Sequence, residues 1–235
     1  MVESIGENTL SFRVHKDDLS DAVAWVARAL PTKSTQPILR AIVITADDEG
    51  LELAGFDYEV STRVRLGAEV DQPGRVAVAG KLLSDIVANM PHQPVEVTTD
   101  NNTMKLVGGK ARFELPLMPL DDYPQVPSLP ETTGTIAPAS LTRAVSQVAS
   151  AAGRDDTLPM LTGIHVEIRG AKMRLTATDR FRLAIRSLEW EPQSPDVEAK
   201  LLVPAKTLLD NARTLDTQLE DPVEIAVGAQ DNVGA

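Results

Sequence analysis

Cysteine is absent from the 235 residues. That excludes a disulfide framework, thiolate metal sites, iron–sulfur ligation and a cysteine nucleophile. Histidine is scarce: His15, His92 and His165 are scattered and leave little for a histidine-based metal centre. No apolar run approaches the roughly 20 residues of a membrane-spanning helix. The opening MVESIGENTL lacks the basic stretch and apolar core of a secretory leader. The default expectation is a soluble, cytoplasmic protein. Positive charge is in short supply, with 23 Lys and Arg against 34 Asp and Glu, a net −11. Such a balance argues against a simple basic nucleic-acid-binding domain. Hydrophobic residues make up 43 % of the chain, enough to bury a core, and the length suits two ordinary domains or one large one.

What the chain does contain is an internal repeat. Shifted by 122 residues, positions 18–64 lie over 140–186 without a gap and share 12 identities in 47. Chance alone gives about three or four. Leu19, Ala22, Val23, Val26, Ala27 and Ala29 meet Leu141, Ala144, Val145, Val148, Ala149 and Ala151. Thr35, Pro37, Leu39, Ile42, Leu53 and Asp57 meet Thr157, Pro159, Leu161, Ile164, Leu175 and Asp179. VAVAGKLLSD (76–85) then lies over LLVPAKTLLD (201–210), and PVEV (94–97) over PVEI (222–225), at slightly larger offsets. The order of blocks is preserved, so the chain reads as two copies of one domain.

Each copy has the same local grammar. Apolar residues at 3–4 spacing predict a helix over 17–30, with Asp17 and Asp18 suited to its unpaired amides. Its counterpart over 139–152 starts behind Pro138 and Ser140. Strands are predicted at 38–46, 51–56, 59–66 and 75–80, and in the second copy at 163–169, 172–179 and 181–190. Shorter helices follow at 80–90 and 205–215. The unit is strand–helix–three strands, twice per domain, with antiparallel sheets: an α+β fold with two helices on one sheet face, tandemly repeated. Residues 116–134, with five prolines, read as an extended linker. The first copy ends in a hairpin, 104–118, around Gly108-Gly109. The equivalent in the second falls beyond residue 235, which predicts a fragment of a longer protein.

Catalytic motifs fail one by one. Gly108-Gly109-Lys110 lacks phosphate-loop spacing and reads as a hairpin turn, and no nucleophile elbow, H-E-x-x-H or dinucleotide fingerprint is present. Asp47-Asp48-Glu49, Asp121-Asp122 and Asp155-Asp156 fall at predicted turns or loops, where solvated carboxylates are the ordinary reading. His165 reads as a surface histidine on a strand. Asp57 and Asp179 read as turn-capping residues. No catalytic site, metal or cofactor is expected. Charge placement is more informative. The four predicted helices (16–30, 80–90, 139–154, 205–215) carry seven basic and five acidic residues, a net +2, which leaves −13 for the rest. Helices of this kind can face a polyanion while the other surfaces repel it.

The segments HKDDLSDAVAWVARAL, PILRAIVI, KARFELPLMPLDDYP and LPMLTGIHVEIRGAKMRLTATDRFRLA, in this order, resemble the bacterial β sliding clamp family, the processivity subunit of DNA polymerase III. The resemblance runs over essentially the whole chain. It departs at Arg180-Phe181, which stand where the family has Gly-His, and at Leu158, an arginine in some relatives. The resemblance implies three DNA-clamp domains per subunit, with two subunits joined head to tail around duplex DNA. Residues 1–127 would be the first domain, 128–235 an incomplete second, and the third would be absent. It places Lys33 and Arg154 near DNA; helix position adds Arg28, Lys81, Arg143, Lys206 and Arg213. It implies a peptide pocket at Leu161, Thr178, Arg180, Phe181, Arg182 and Leu183. Arg182 and the Thr178 hydroxyl would hold a partner's backbone there. The pocket would receive the polymerase III catalytic subunit, the clamp loader and repair proteins. Phe113 and Leu115 would lie at the homodimer interface. Readings that do without the resemblance are an acidic scaffold that binds only proteins, and a hydrolase with an unrecognised carboxylate site.

Overall fold

The computed structural model describes residues 9–31, 34–58, 60–100, 102–125, 130–155, 157–215 and 221–228. The chain divides into two compact units, Met1–Pro127 and Ser128–Ala235. In unit 1, β1 (Ser11–Val14) leads into α1 (Lys16–Ala29), followed by the antiparallel neighbours β2 (Ala41–Asp47), β3 (Gly50–Phe56) and β4 (Ser61–Leu66). After the short β5 (Glu69–Gln72) the order recurs as β6 (Gly74–Ala79), α2 (Gly80–Ala88), β7 (Val95–Asp100), β8 (Thr103–Gly108) and β9 (Ala111–Met118). All nine strands share one sheet, ordered β4-β3-β2-β6-β9-β8-β7-β1-β5. β9 is the joint. Up to Pro116 it pairs with β8; Leu117 and Met118 then turn to Val78 and Ala77 of β6.

The helices close one face of this sheet. α1 buries Leu19, Ala22, Val23 and Val26, α2 buries Leu83 and Val87, and the two pack side by side. Beneath them Ile42, Ile44, Leu51, Leu53, Val76 and Val78 complete the core. Each such side chain removed from water contributes about 1.5–3 kcal/mol. β2 does not alternate, because both its faces are covered. On the outer face Ala41, Val43, Phe56 and Ala77 form a second cluster with Ile38, Leu39 and Tyr123. Tyr123 belongs to the segment predicted as an extended linker. Residues 116–118 instead end β9, 120–122 form a 3-10 turn, and Tyr123 is folded back onto unit 1. The expected strand start at 38 is also displaced. Pro37 opens a 3-10 turn over Pro37–Arg40, and β2 begins at Ala41.

Unit 2 repeats the order with β10 (Gly134–Ile136), α3 (Pro138–Ala149) and a single helical turn α4 (Pro159–Thr162). β11 (Gly163–Arg169), β12 (Lys172–Thr178), β13 (Leu183–Glu189), β14 (Glu191–Pro192), β15 (Glu198–Pro204), α5 (Ala205–Ala212) and β16 (Val223–Ile225) complete it. The starts of α3, β11, β12 and β13 each fall 122 residues after those of α1, β2, β3 and β4. α3 and α5 pack together, tied by the Thr142 hydroxyl donating to the Ala212 carbonyl at 2.9 Å. The strands form two sheets, β13-β12-β11-β15 and β14-β10-β16. Counterparts of β8 and β9, which stand between β7 and β6 in unit 1, are not among the described residues.

Candidate docking cleft and cationic helix face

The turn from β12 to β13 is built twice in the chain. The Asp179 backbone N–H donates to the Arg182 carbonyl (3.3 Å), and one Asp179 carboxylate oxygen accepts the N–H groups of Phe181 (3.1 Å) and Arg182 (2.8 Å). In unit 1 the Asp57 N–H donates to the Val60 carbonyl (3.2 Å), and its carboxylate accepts the Val60 N–H (2.7 Å). Both aspartates therefore cap their turns. The second Asp179 oxygen takes Nε and one terminal nitrogen of Arg182, at 3.0 and 2.8 Å. The Arg182 side chain, followed by the backbone N–H groups, holds the Asp179 pKa below the ordinary carboxylate range. Thr178 Oγ donates to the Arg182 carbonyl (2.7 Å) and accepts the Arg180 N–H (3.2 Å).

These bonds correct the expectation that Arg182 and the Thr178 hydroxyl hold a partner's backbone. The Thr178 hydroxyl, Arg182 Nε and one Arg182 terminal nitrogen are already partnered within the turn, which makes the turn a preformed wall. The wall borders a cleft of about 480 Å³ lined by Leu158, Leu161, Arg154, Arg180, Phe181 and Arg182, among others. Four of the six pocket residues read from the sequence thus converge. Thr178 fixes the turn behind them, and Leu183 lies on the outer face of the sheet opposite Thr178. Phe181 is 90 % exposed at the rim, and Leu183 at 64 % is not a core residue. Across the cleft the Gly153 N–H donates to the Leu161 carbonyl at 2.7 Å. Asp155 is bonded by the Thr157 hydroxyl (2.6 Å) and N–H (3.0 Å), in that order the causes of its lowered pKa.

Arg180 takes φ +79° and Tyr58, its repeat counterpart, φ +73°. This is the left-handed region, where glycine carries no steric cost. Arg180→Gly should leave the stability of unit 2 within about 1 kcal/mol of the parent, because relieved strain offsets the freer unfolded chain. Arg180→Val should cost about 1–2 kcal/mol. Urea unfolding followed through Trp190, the one tryptophan of unit 2, distinguishes the two.

Of the expected polyanion-facing residues, Arg28, Lys81, Arg143, Lys206, Arg213 and Arg154 are all exposed, and Lys33 lies outside the described residues. Lys81 pairs with Asp85 (3.7 Å) and Lys206 with Asp210 (2.8 Å), the same i,i+4 pair in both units. Such exposed pairs contribute little stability, and both lysine heads stay solvated. Arg154 borders the cleft of unit 2. Arg28 and Lys81 share a groove of about 1100 Å³ in unit 1 with Arg40. Arg40 escaped the sequence reading because a strand was expected there; the 3-10 turn carries it to the helices.

The interface expectation fails at Leu115. Phe113, Leu115 and Leu117 all turn one side of β9 to the core of unit 1, where Leu115 is fully buried and Phe113 packs against it. A side chain enclosed by its own domain is closed to a second subunit. The acidic turn at 47–49 is partly offset by Arg65, which reaches Asp47 at 3.0 Å and Glu49 at 2.8 Å. Among the described residues no cluster of His, Asp and Glu could hold a metal, and no helix is long and apolar enough to cross a membrane.

Family comparisons agree with this architecture. Residues 10–127 match the N-terminal domain of the DNA polymerase III beta subunit, and residues 135–235 its central domain. The chain is 47 % identical over 206 residues to the beta sliding clamp of Streptomyces coelicolor, covering 88 % of this chain and 55 % of that protein. It is 43 % identical to the beta sliding clamp homolog GriR of Streptomyces muensis, covering 95 % and 60 %. The crystal structure of the Bacillus subtilis sliding clamp superposes with a TM-score of 0.87 at 28 % identity, over 94 % of this chain and 60 % of that one. The chain thus spans between half and two thirds of the length of these relatives. With both units matched in order, the chain belongs to the DNA polymerase III beta subunit family, the beta sliding clamps.

Proposed function

We propose that this chain supplies the first two domains of a sliding clamp that encloses duplex DNA and tethers the replicative polymerase, without a catalytic site of its own. The observation that carries the reading is the segregation of charge. The helices α1, α2, α3 and α5 carry five basic and five acidic residues and are neutral overall, with Arg154 and Arg213 just beyond them, so the whole net −11 lies outside these helices. Scattered Lys and Arg give weak, sequence-independent, salt-sensitive attraction to phosphates. Weakness suits sliding, because enclosure and not affinity retains the ring. The two units would be clamp domains I and II of a three-domain subunit acting in the cytoplasm. Two such subunits would form the ring, with Phe113 near their contact. Lys33, Arg28, Lys81, Arg143, Arg154, Lys206 and Arg213 are assigned to the DNA side.

The cleft of unit 2 is assigned to short peptides of the polymerase III catalytic subunit, the clamp loader and repair proteins. Leu158, Leu161 and Phe181 would take their apolar side chains. One relative supports ligand capture by this family: the Pseudomonas aeruginosa sliding clamp, 28 % identical to this chain, solved bound to griselimycin.

The test is retention. A subunit of the relatives' full length, loaded on nicked circular DNA, should stay bound and be lost once the DNA is linearised; equal loss from both forms sinks the reading. In the same complex, Arg143→Glu with Lys206→Glu should lower the slope of log K against log salt by about one to two. An unchanged slope would remove these residues from the DNA side.

A further inference from the structure

The two copies of the domain carry different charges between their helices. In unit 1 the groove of about 1100 Å³ runs between the end of α1 and the start of α2. Arg28, Arg40 and Lys81 line it, all exposed, with Asp85 as the one carboxylate among the described residues around it. Asp85 faces Lys81 at 3.7 Å. Arg28 and Arg40 have no carboxylate partner among the described residues, and the Arg40 guanidinium donates to the Ser34 carbonyl at 3.3 Å. The rest of the lining is mostly apolar or small, with Ala24, Ala27, Leu30, Pro37 and Gly80. Low-dielectric walls around charges of one sign focus their field into the cleft. By the repeat, the positions of Arg28, Arg40 and Lys81 are Ser150, Thr162 and Lys206 in unit 2. Only the lysine is kept, and it is drawn closer to its aspartate, at 2.8 Å. Other cations of unit 2 stand apart: Arg143 lines a cleft with Arg186 and Glu189, and Arg154 borders the docking cleft. The unit 1 groove has two more cations than carboxylates in its lining, where each of those clefts has one more.

We infer that this groove is a seat for backbone phosphates of duplex DNA, with Arg40 as the contact that the helices themselves do not supply. The inference rests on the reading of the helix face as the DNA side and extends it in two ways. Arg40 comes from the 3-10 turn before β2, outside every helix. The grip on the backbone then falls on unit 1 and is not shared equally by the two copies, because Ser150 and Thr162 bring no charge to the matching place. Two of the three cations are arginines, whose planar guanidinium meets a phosphate through two parallel hydrogen bonds. Contacts of this kind position a duplex without reading its sequence.

The test is the fluorescence anisotropy of a short fluorescein-labelled DNA duplex, titrated with the 235-residue protein over a series of salt concentrations. Arg40→Ala should lower the slope of log K against log salt by about one, the loss of one phosphate contact, and Arg28→Ala with Arg40→Ala by about two. Arg40→Lys should restore the slope, since it keeps the charge. Arg174→Ala removes an exposed cation from β12 of unit 2, where it pairs with Glu167 at 3.5 Å, and should leave the slope unchanged. Arg40 is exposed, so its replacement should fold, which circular dichroism checks. No binding at the lowest salt, a slope indifferent to Arg40→Ala, or an equal fall with Arg174→Ala overturns the inference. Equal weakening of the duplex and of a poly-aspartate peptide of the same charge would make the groove a general seat for acids and overturn it likewise. A ring of the relatives' full length that stays on circular DNA, with a slope that ignores Arg40→Ala, would uphold enclosure and refute the groove alone. A slope lowered by Arg40→Ala in a ring lost equally from circular and linear DNA would uphold the groove and refute enclosure.

Discussion

Truncating Tyr123 to alanine should destabilise unit 1 by about 3 kcal/mol, the usual cost of removing a buried aromatic ring. The ring is 8 % exposed, and it is the element that turns the outer face of β2 and β3 into a second core. Its loss exposes Val43, Phe56 and Ala77 together. Hydrogen exchange should therefore speed up over residues 41–56 and stay unchanged over the equivalent 163–178. Equal protection in the variant and the parent would show that the segment contributes no packing. Tyr123→Phe should behave very differently. Burial raises the phenol pKa, and the hydroxyl, although near the Phe56 main chain, makes no hydrogen bond of ordinary geometry. A buried hydroxyl without a partner costs about 1–3 kcal/mol, so deleting it should be neutral or stabilising. A Tyr123→Phe loss as large as that of Tyr123→Ala would mean that the hydroxyl, and not the ring, anchors the segment.

Gly50→Ala should be comparably damaging, for a different reason. Gly50 closes the β2–β3 hairpin at φ +118°, a conformation that L side chains rarely adopt, and a Cβ there would stand 2.5 Å from the Leu66 carbonyl oxygen. Strain of about 1–3 kcal/mol then adds to displacement of β4, which pairs with β3 beside it. The expected loss is about 3 kcal/mol, read as a shifted urea midpoint through Trp25, the one tryptophan of unit 1. An unchanged midpoint would show that the hairpin can flip to another turn at no cost. Gly170 supplies the comparison. It also has positive φ, +52°, but its Cβ would meet only the Pro195 carbonyl, at 3.0 Å. Gly170→Ala should therefore cost clearly less.

Much of the site was legible in one dimension, and its gaps have physical causes. The repeated Asp57 and Asp179 could be read as caps because a turn carboxylate acts on amides two and three residues away, within reach of local sequence. The convergence of Leu161 with Arg180, Phe181 and Arg182 came from the resemblance, since spacing alone does not bring β12 to α4. Arg40 was missed because Ile38 and Leu39 look the same at the start of a strand and in a 3-10 turn. Leu115 was misplaced because alternation along β9 shows that one side is apolar, without showing whether a domain or a neighbour covers it.

By itself the sequence determined the duplication, the order of elements in each copy and the absence of thiol chemistry. These depend on residue identity, short-range periodicity and comparison of the chain with itself. The tertiary structure alone decided which faces are covered. The outer sheet surface of unit 1 is a sealed core because the segment ending at Tyr123 folds back over it; burial depends on what lies opposite a side chain, and that partner comes from elsewhere in the chain.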